Sequence, residues 1–204
     1  MNDKPQPIER HPWGPFVPDD ARYLFLGTFP PQEHRWSMPF YYPNRTNDFW
    51  RIIGLIFLGD RNALWDAGQG LFMLDAIKSL LKRERIALWD TGMAVRRLKC
   101  NASDKFLEIV EPIDLAALLD ENPTIFHVIT TGEKATGVIA TQAGVELPAI
   151  GVPVACQVGE HPITLWRMPS SSRAYPLSLE KKAKAYMKVF RADSARCNGV
   201  NNFF

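Results

Sequence analysis

Residues 23–32 read YLFLGTFPPQ, an apolar run of strand length that stops at a glycine, a threonine and two prolines. Five such residues bounded by turn formers read as a buried strand, since a helix needs about ten or more. Three other runs share this grammar: IALWD (86–90), IFHVITTG (125–132) and ITLWRMPS (163–170). Helical spacing of apolar residues separates them, over 47–58, 73–84, 113–120, 133–142 and 178–190. Strands alternating with helices imply right-handed crossovers and a sheet covered on both faces. The expected fold class is therefore α/β, a three-layer α/β/α sandwich around a mostly parallel four-stranded sheet. Residues 144–162, rich in proline and glycine, are expected to hold a short strand or loops. One domain is expected over 1–204, with roughly the first 20 and last 12 residues peripheral.

A chain of 204 residues, 46% hydrophobic and 23% charged, has the composition of an ordinary soluble globule. Its net charge of +2 does not by itself argue for a polyanionic partner, although a local basic face stays open. Cys100, Cys156 and Cys197 form no CxxC pair, and His11, His34, His127 and His161 lack metal-ligand spacing. Neither a disulfide framework nor a zinc or iron–sulfur site is expected, and no metal or cofactor. No stretch approaches the ~20 apolar residues of a membrane span, and the polar N-terminus does not resemble a signal peptide. A cytoplasmic monomer with no membrane partner is expected.

In doubly covered sheets ligands bind beyond the carboxyl ends of the strands. Those ends carry GTFPP (27–31), WDTG (89–92), TTGEK (130–134) and MPSSSRAY (168–175). GTFPP lacks the glycines of a dinucleotide loop and the GK[ST] of a P-loop. Pro30 and Pro31 stiffen the turn and remove two backbone donors, which suits either a rigid ligand-holding loop or a plain strand stop. In FYYPNRTNDFWRIIG (40–54), Asn47 suits a helix N-cap, and Phe49, Trp50, Ile53 and Phe57 have core spacing. Tyr41 and Tyr42 beside amide side chains suit stacking a base and reading its edge. The serines of MPSSSRAYP (168–176) suit phosphate oxygens, with Arg173 assisting, but are also ordinary turn formers. In the following helix Ala183, Tyr186, Met187 and Phe190 form an apolar stripe. Lys181, Lys184 and Lys188 share another face, either simply solvated or tracking a phosphate backbone.

Taken in order, LGTFPP, YYPNRTNDFWRIIG, ALWDTG…VRRLKCNASDKFLEIVEP and MPSSSRA resemble the motif series of the uracil-DNA glycosylase superfamily. The likeness runs from Tyr23 to Phe190 and is nearest the family 6 branch, the hypoxanthine-DNA glycosylases. Mismatch-specific uracil-DNA glycosylases share a similar N-x-F-W segment. The resemblance implies hydrolysis of the N-glycosidic bond of a deaminated base, hypoxanthine or uracil, flipped out of damaged DNA during base excision repair.

Residue by residue, Gly27, Thr28, Phe29, Pro30 and Pro31 match the first motif, a loop on the water and sugar side. Tyr42 matches the aromatic that stacks on the base, with Phe29 a further base contact. Asn47 matches an asparagine that serves catalysis in the family 6 branch, where it would position water and donate a hydrogen bond. Trp89 and Asp90 lie on the strand whose end contacts the base; Asp90 would read the base or steady positive charge on the sugar. Met168 to Arg173 match the minor-groove loop, which makes Ser170, Ser171, Ser172 and Arg173 DNA contacts, with Lys184 alongside. Asp48 reads as a first-turn helix acid.

Relatives that use an acid or asparagine in the first motif place it where this chain has Phe29, a departure the family 6 branch shares. The chain departs again at Met168, where some carry histidine, and at Pro31, where family 6 usually has glycine. An inactive member that binds DNA or a nucleobase is the first alternative. A small-molecule hydrolase or nucleotide-binding α/β domain is the second.

Overall fold

The computed structural model describes residues 6–98 and 106–199, the side chains of 193–199 excepted. Cys100, the Cys197 side chain and the aromatic end of the tail lie outside the described residues. In chain order the strands are β1 (Ile8–Arg10), β2 (Tyr23–Gly27), β3 (Trp65–Asp66), β4 (Leu71–Phe72), β5 (Ile86–Asp90), β6 (Gly92–Arg97), β7 (Leu107–Pro112), β8 (His127–Thr131), β9 (Pro153–Val158) and β10 (His161–Met168). The helices are α1 (Phe49–Leu58), α2 (Leu74–Arg83), α3 (Leu115–Glu121), α4 (Glu133–Ala143) and α5 (Leu179–Gly199).

The central sheet runs β5-β2-β8-β10-β9. Its first four strands are the four apolar runs of the sequence, all mutually parallel. The sheet has five strands rather than four, because Pro153–Val158 adds an antiparallel edge to β10. Strand alternation then builds two cores. Tyr23, Phe25, Ile86, Leu88, Ile129, Trp166 and Met168 point to one face, under α1, α2 and α5. Leu24, Leu26, Ala87, Val128, Ile163 and Leu165 point to the other, under α3 and α4. These are the three expected layers.

A second sheet, antiparallel and ordered β1-β6-β7, was not expected. Its strands MAVRR and LEIVE carry charges that break the apolar pattern of a strand, yet those charges pair across the ladder. Arg96 meets Glu108 at 2.7 Å, Arg10 meets Glu111 at 3.0 Å and Arg97 meets Glu9 at 2.9 Å. Opposite charges facing across a sheet support it. This sheet also corrects the expectation for the N-terminal residues. Residues 8–16 are built into the body: β1 pairs with β6, Phe16 bridges Leu88, and Tyr41 donates to Gly14 O at 2.8 Å. Among the described residues no helix is long and apolar enough to cross a membrane.

Candidate functional site

The parity that fills the cores also orients the strand ends. Gly27, Asp90 and Thr131 fall on the same face as Phe25, Leu88 and Ile129, the α1 side of the sheet. There a cavity of about 590 Å³ opens beyond the carboxyl ends of β2, β5 and β8. Of the residues expected at the site, Gly27, Thr28, Phe29, Pro30, Tyr42, Asn47, Asp90, Ser170, Ser171 and Ser172 line it; Trp89, Arg173 and Lys184 do not.

Gly27 answers the question raised by the first motif. A Cβ there would sit 2.4 Å from Asp90 Oδ1 and 3.3 Å from the Tyr42 hydroxyl. Only a bare backbone lets the carboxylate of the neighbouring strand lie against it. Gly27→Ala is expected to cost about 1–3 kcal/mol through overpacking, read as a lower urea midpoint at unchanged slope. An unchanged midpoint would mean that Asp90 swings aside freely. The prolines brace the turn through their carbonyls, Pro30 O accepting from Arg97 Nη2 at 2.7 Å and Pro31 O from Trp36 Nε1 at 2.7 Å. Arg97 also lies over the Phe29 ring, 5.6 Å from its centroid, and so fixes that ring on the cavity wall.

Asp90 does not stand alone. Its Oδ2 is 3.0 Å from His11 Nε2, with the two side chains only 8% and 3% exposed. Burial holds the Asp90 carboxyl above the usual carboxylate range, opposed by the His11 contact and the Gly27 amide. No sequence pattern links His11 to Asp90, 79 positions away.

Tyr42 has φ +49°, one of two non-glycine residues at positive φ among those described. Its ring stacks on Phe49 at 3.7 Å and 12°, and its hydroxyl shares a 3.0 Å hydrogen bond with Thr131 Oγ1. Such a conformation costs about 1–3 kcal/mol and is held here by the ring stack and the hydroxyl bond. Tyr41, paired with it in the sequence reading, turns inward instead. It is buried against His11 and Trp13, and burial and the Asp90 charge raise its hydroxyl pKa.

The N-cap of α1 is Asp48 rather than Asn47, which lies one residue earlier with its Oδ1 accepting from Phe49 N at 2.9 Å. The carboxamide oxygen is thus engaged, and the NH2 is the donor left for a ligand. Asp48 departs from its expected first-turn role: it stands at the N-cap position, and its side chain makes no cap bond to the helix. Its buried carboxylate instead receives Lys182 Nζ at 3.1 Å and Arg173 Nε at 3.2 Å. Lys182 also donates to Ser172 O at 2.8 Å, and Asp48 N donates to Ser171 O at 2.8 Å. The serine loop is thereby clamped onto the start of α1 beside Asn47. The serine hydroxyls serve the loop as well, Ser170 Oγ accepting from Ser172 N and Ser172 Oγ from Ala174 N.

One placement corrects the sequence reading, and two expected DNA contacts lie outside the cavity wall. Trp89, one residue from Asp90, falls by alternation on the opposite face and packs in the apolar clusters, away from the cavity. Arg173 is held on Asp48 and stays half exposed, 52%, outside the wall. Lys184 is exposed on α5, but the run KKAK hides Lys182 completely. The spacing of Lys182, Tyr186 and Val189 on one face was the available signal for that burial. The wall includes Arg35, from the loop after the first motif, and Arg97 from β6.

No family model and no curated protein matches this chain. Sixteen chains of solved structures do. One is a solution structure from Methanosarcina acetivorans, described as a "putative Uracil DNA glycosylase". It is 24% identical, with a TM-score of 0.58, over 90% of this chain and 99% of that one. The two share a fold. That likeness covers the mixed α/β architecture with its central sheet and five helices, and carries nothing finer.

Proposed function

We propose that this chain is a DNA glycosylase of base excision repair, hydrolysing the N-glycosidic bond of a deaminated base, hypoxanthine or uracil, flipped out of DNA. One observation carries the reading. The cavity brings together a tyrosine ring held at positive φ, an amide with its NH2 unspent, and a buried carboxylate. Those are the groups that stack a base, stabilise its departure and read its edge. The name of the Methanosarcina neighbour points to the same chemistry, as an analogy of fold.

In this mechanism Tyr42, backed by Phe49, stacks on the extruded base. Asn47 donates to the base as its bond to C1′ breaks and negative charge develops. A water oxygen bonds to C1′, its proton passes to solvent, and the base leaves as an anion that water then protonates. Positioning and preorganised donors supply the acceleration, so no strong base is required. The proposed reaction needs neither metal nor cofactor and is carried out by a cytoplasmic monomer. The Ser170–Ser172 loop flanks the opening, with Arg35, Arg173 and Lys184 for the backbone phosphates.

Duplexes carrying uracil, hypoxanthine, xanthine or mismatched thymine, incubated with the protein and cut with alkali at abasic sites, test the reading. Cleavage of one of them is the expected result. No cleavage with retained duplex binding would select the inactive binder instead. That alternative has an observation of its own, since Asn47 Oδ1 and Asp90 Oδ2 are both already engaged. Loss of both activities points to a small ligand.

The phosphate contacts have a separate test. Arg35→Ala and Lys184→Ala are each expected to flatten the slope of log affinity against log salt by about 0.9 per lost contact. Unchanged slopes in both would turn this face away from DNA.

A further inference from the structure

Asp90 offers the cavity one oxygen, and His11 decides its character. His11 Nδ1 lies 2.8 Å from Trp13 O and 3.2 Å from Trp13 N, while Nε2 lies 3.0 Å from Asp90 Oδ2. Three proton arrangements satisfy these contacts with Oδ1 bare. Both ring nitrogens donate, to Trp13 O and the carboxylate. Or Nδ1 accepts from Trp13 N while Nε2 donates. Or Nδ1 donates while a proton on Oδ2 is given to Nε2. In all three the proton between the two side chains lies on the Nε2–Oδ2 line, and a further proton on Oδ1 is opposed by the His11 contact, which favours the ionised carboxylate.

Asp90 lines the cavity, and Oδ1 is the oxygen not held by His11. Oδ1 lies against Gly27, 2.4 Å from where a Cβ would sit, and the Tyr42 hydroxyl is 3.3 Å from that same point. The Gly27 amide also bonds the Asp90 carboxylate, and the side chains around it have partners of their own. Tyr41 donates to Gly14 O, Tyr42 pairs with Thr131, and Arg97 is bound to Glu9 and Pro30 O. His11 is locked in place: it stacks on Tyr41 at 5.9 Å, meets Phe29 edge-on at 5.4 Å, and its backbone N donates to Met93 O at 2.8 Å.

We propose that His11 is a positioning and specificity residue: it confines the shared proton to Asp90 Oδ2 and leaves Oδ1 a pure acceptor, which selects a ligand presenting an N–H. For the substrate this rests on the glycosylase reading. Deamination turns the bare ring nitrogen of adenine or cytosine into the lactam N–H of hypoxanthine or uracil. A bare Oδ1 bonds that N–H and faces the parent base lone pair to lone pair. Without His11, a carboxyl pushed toward protonation by burial can carry its proton on Oδ1 and accept the parent base instead.

Free hypoxanthine and adenine, titrated into the full chain and followed by NMR, read this directly. The wild type is expected to prefer hypoxanthine. His11→Phe is expected to shrink that preference about tenfold or more, and His11→Gln, whose amide reaches Asp90 from a similar place, to restore it. Asp90→Asn provides a second check should His11→Phe not fold. His11 Nε2 then accepts from the new NH2, Oδ1 remains an acceptor, and the preference is retained. A folded His11→Phe protein with undiminished preference overturns the proposal. So does loss of preference in Asp90→Asn, or a wild type that does not distinguish the two bases. Preference without excision of any lesion sinks the glycosylase reading and leaves His11 standing; excision with a preference indifferent to His11 does the reverse.

Discussion

Asn47→Asp is expected to slow excision about 100- to 1,000-fold at undiminished stability. The two halves of the amide do different work. Its oxygen accepts from Phe49 N at 2.9 Å at the start of α1, and aspartate keeps that acceptor. Its NH2 is the donor left for the departing base, and aspartate replaces it with a charge that repels the developing anion. Asn47→Ala removes both halves, so it should lose the same rate and also about 1 kcal/mol of stability, while duplex affinity stays nearly constant. Single-turnover excision and urea unfolding of the pair separate the structural role from the catalytic one. Excision by Asn47→Asp at the wild-type rate would clear the amide of any part in bond breaking.

The central sheet was legible because burial on both faces leaves an unmistakable mark. YLFLG, IALWD and the β8 and β10 runs are apolar at nearly every position, and helices of regular spacing lie between them. Their carboxyl ends gave the floor of the cavity, with Gly27, Asp90 and the serine loop placed by topology alone. The outer sheet was illegible for the opposite reason. Arg96, Arg97, Glu108 and Glu111 read as solvated positions until the strands that pair them are brought together. The contact of His11 with Asp90 and that of Lys182 with Asp48 were hidden likewise. Each joins residues far apart in the chain, and nothing local to either partner announces the other. Trp89 shows the limit of motif matching: it shares a strand end with Asp90, and one step of pleat sends it to the other face.

Lys182→Met is expected to cost about 3–5 kcal/mol, the largest stability loss of any single change at the site. The Lys182 side chain is completely buried, and its ammonium is held by Asp48 Oδ2 at 3.1 Å and Ser172 O at 2.8 Å. Methionine fills the volume but leaves a buried carboxylate and a carbonyl without their donor. Arg173, half exposed, still reaches Oδ1 and offsets only part of the loss. Neutralising the stranded acid as well, in Asp48→Asn/Lys182→Met, should recover stability relative to Lys182→Met alone, because a buried unpaired charge is worse than no pair. Urea midpoints of the two singles and the double give the coupling directly. A double mutant no more stable than the sum of the singles would mean the two side chains act independently. The same clamp ties the serine loop to the helix start that carries Asn47. A recovered fold that still excises slowly would therefore show that the ion pair is retained for the geometry of the site rather than for stability.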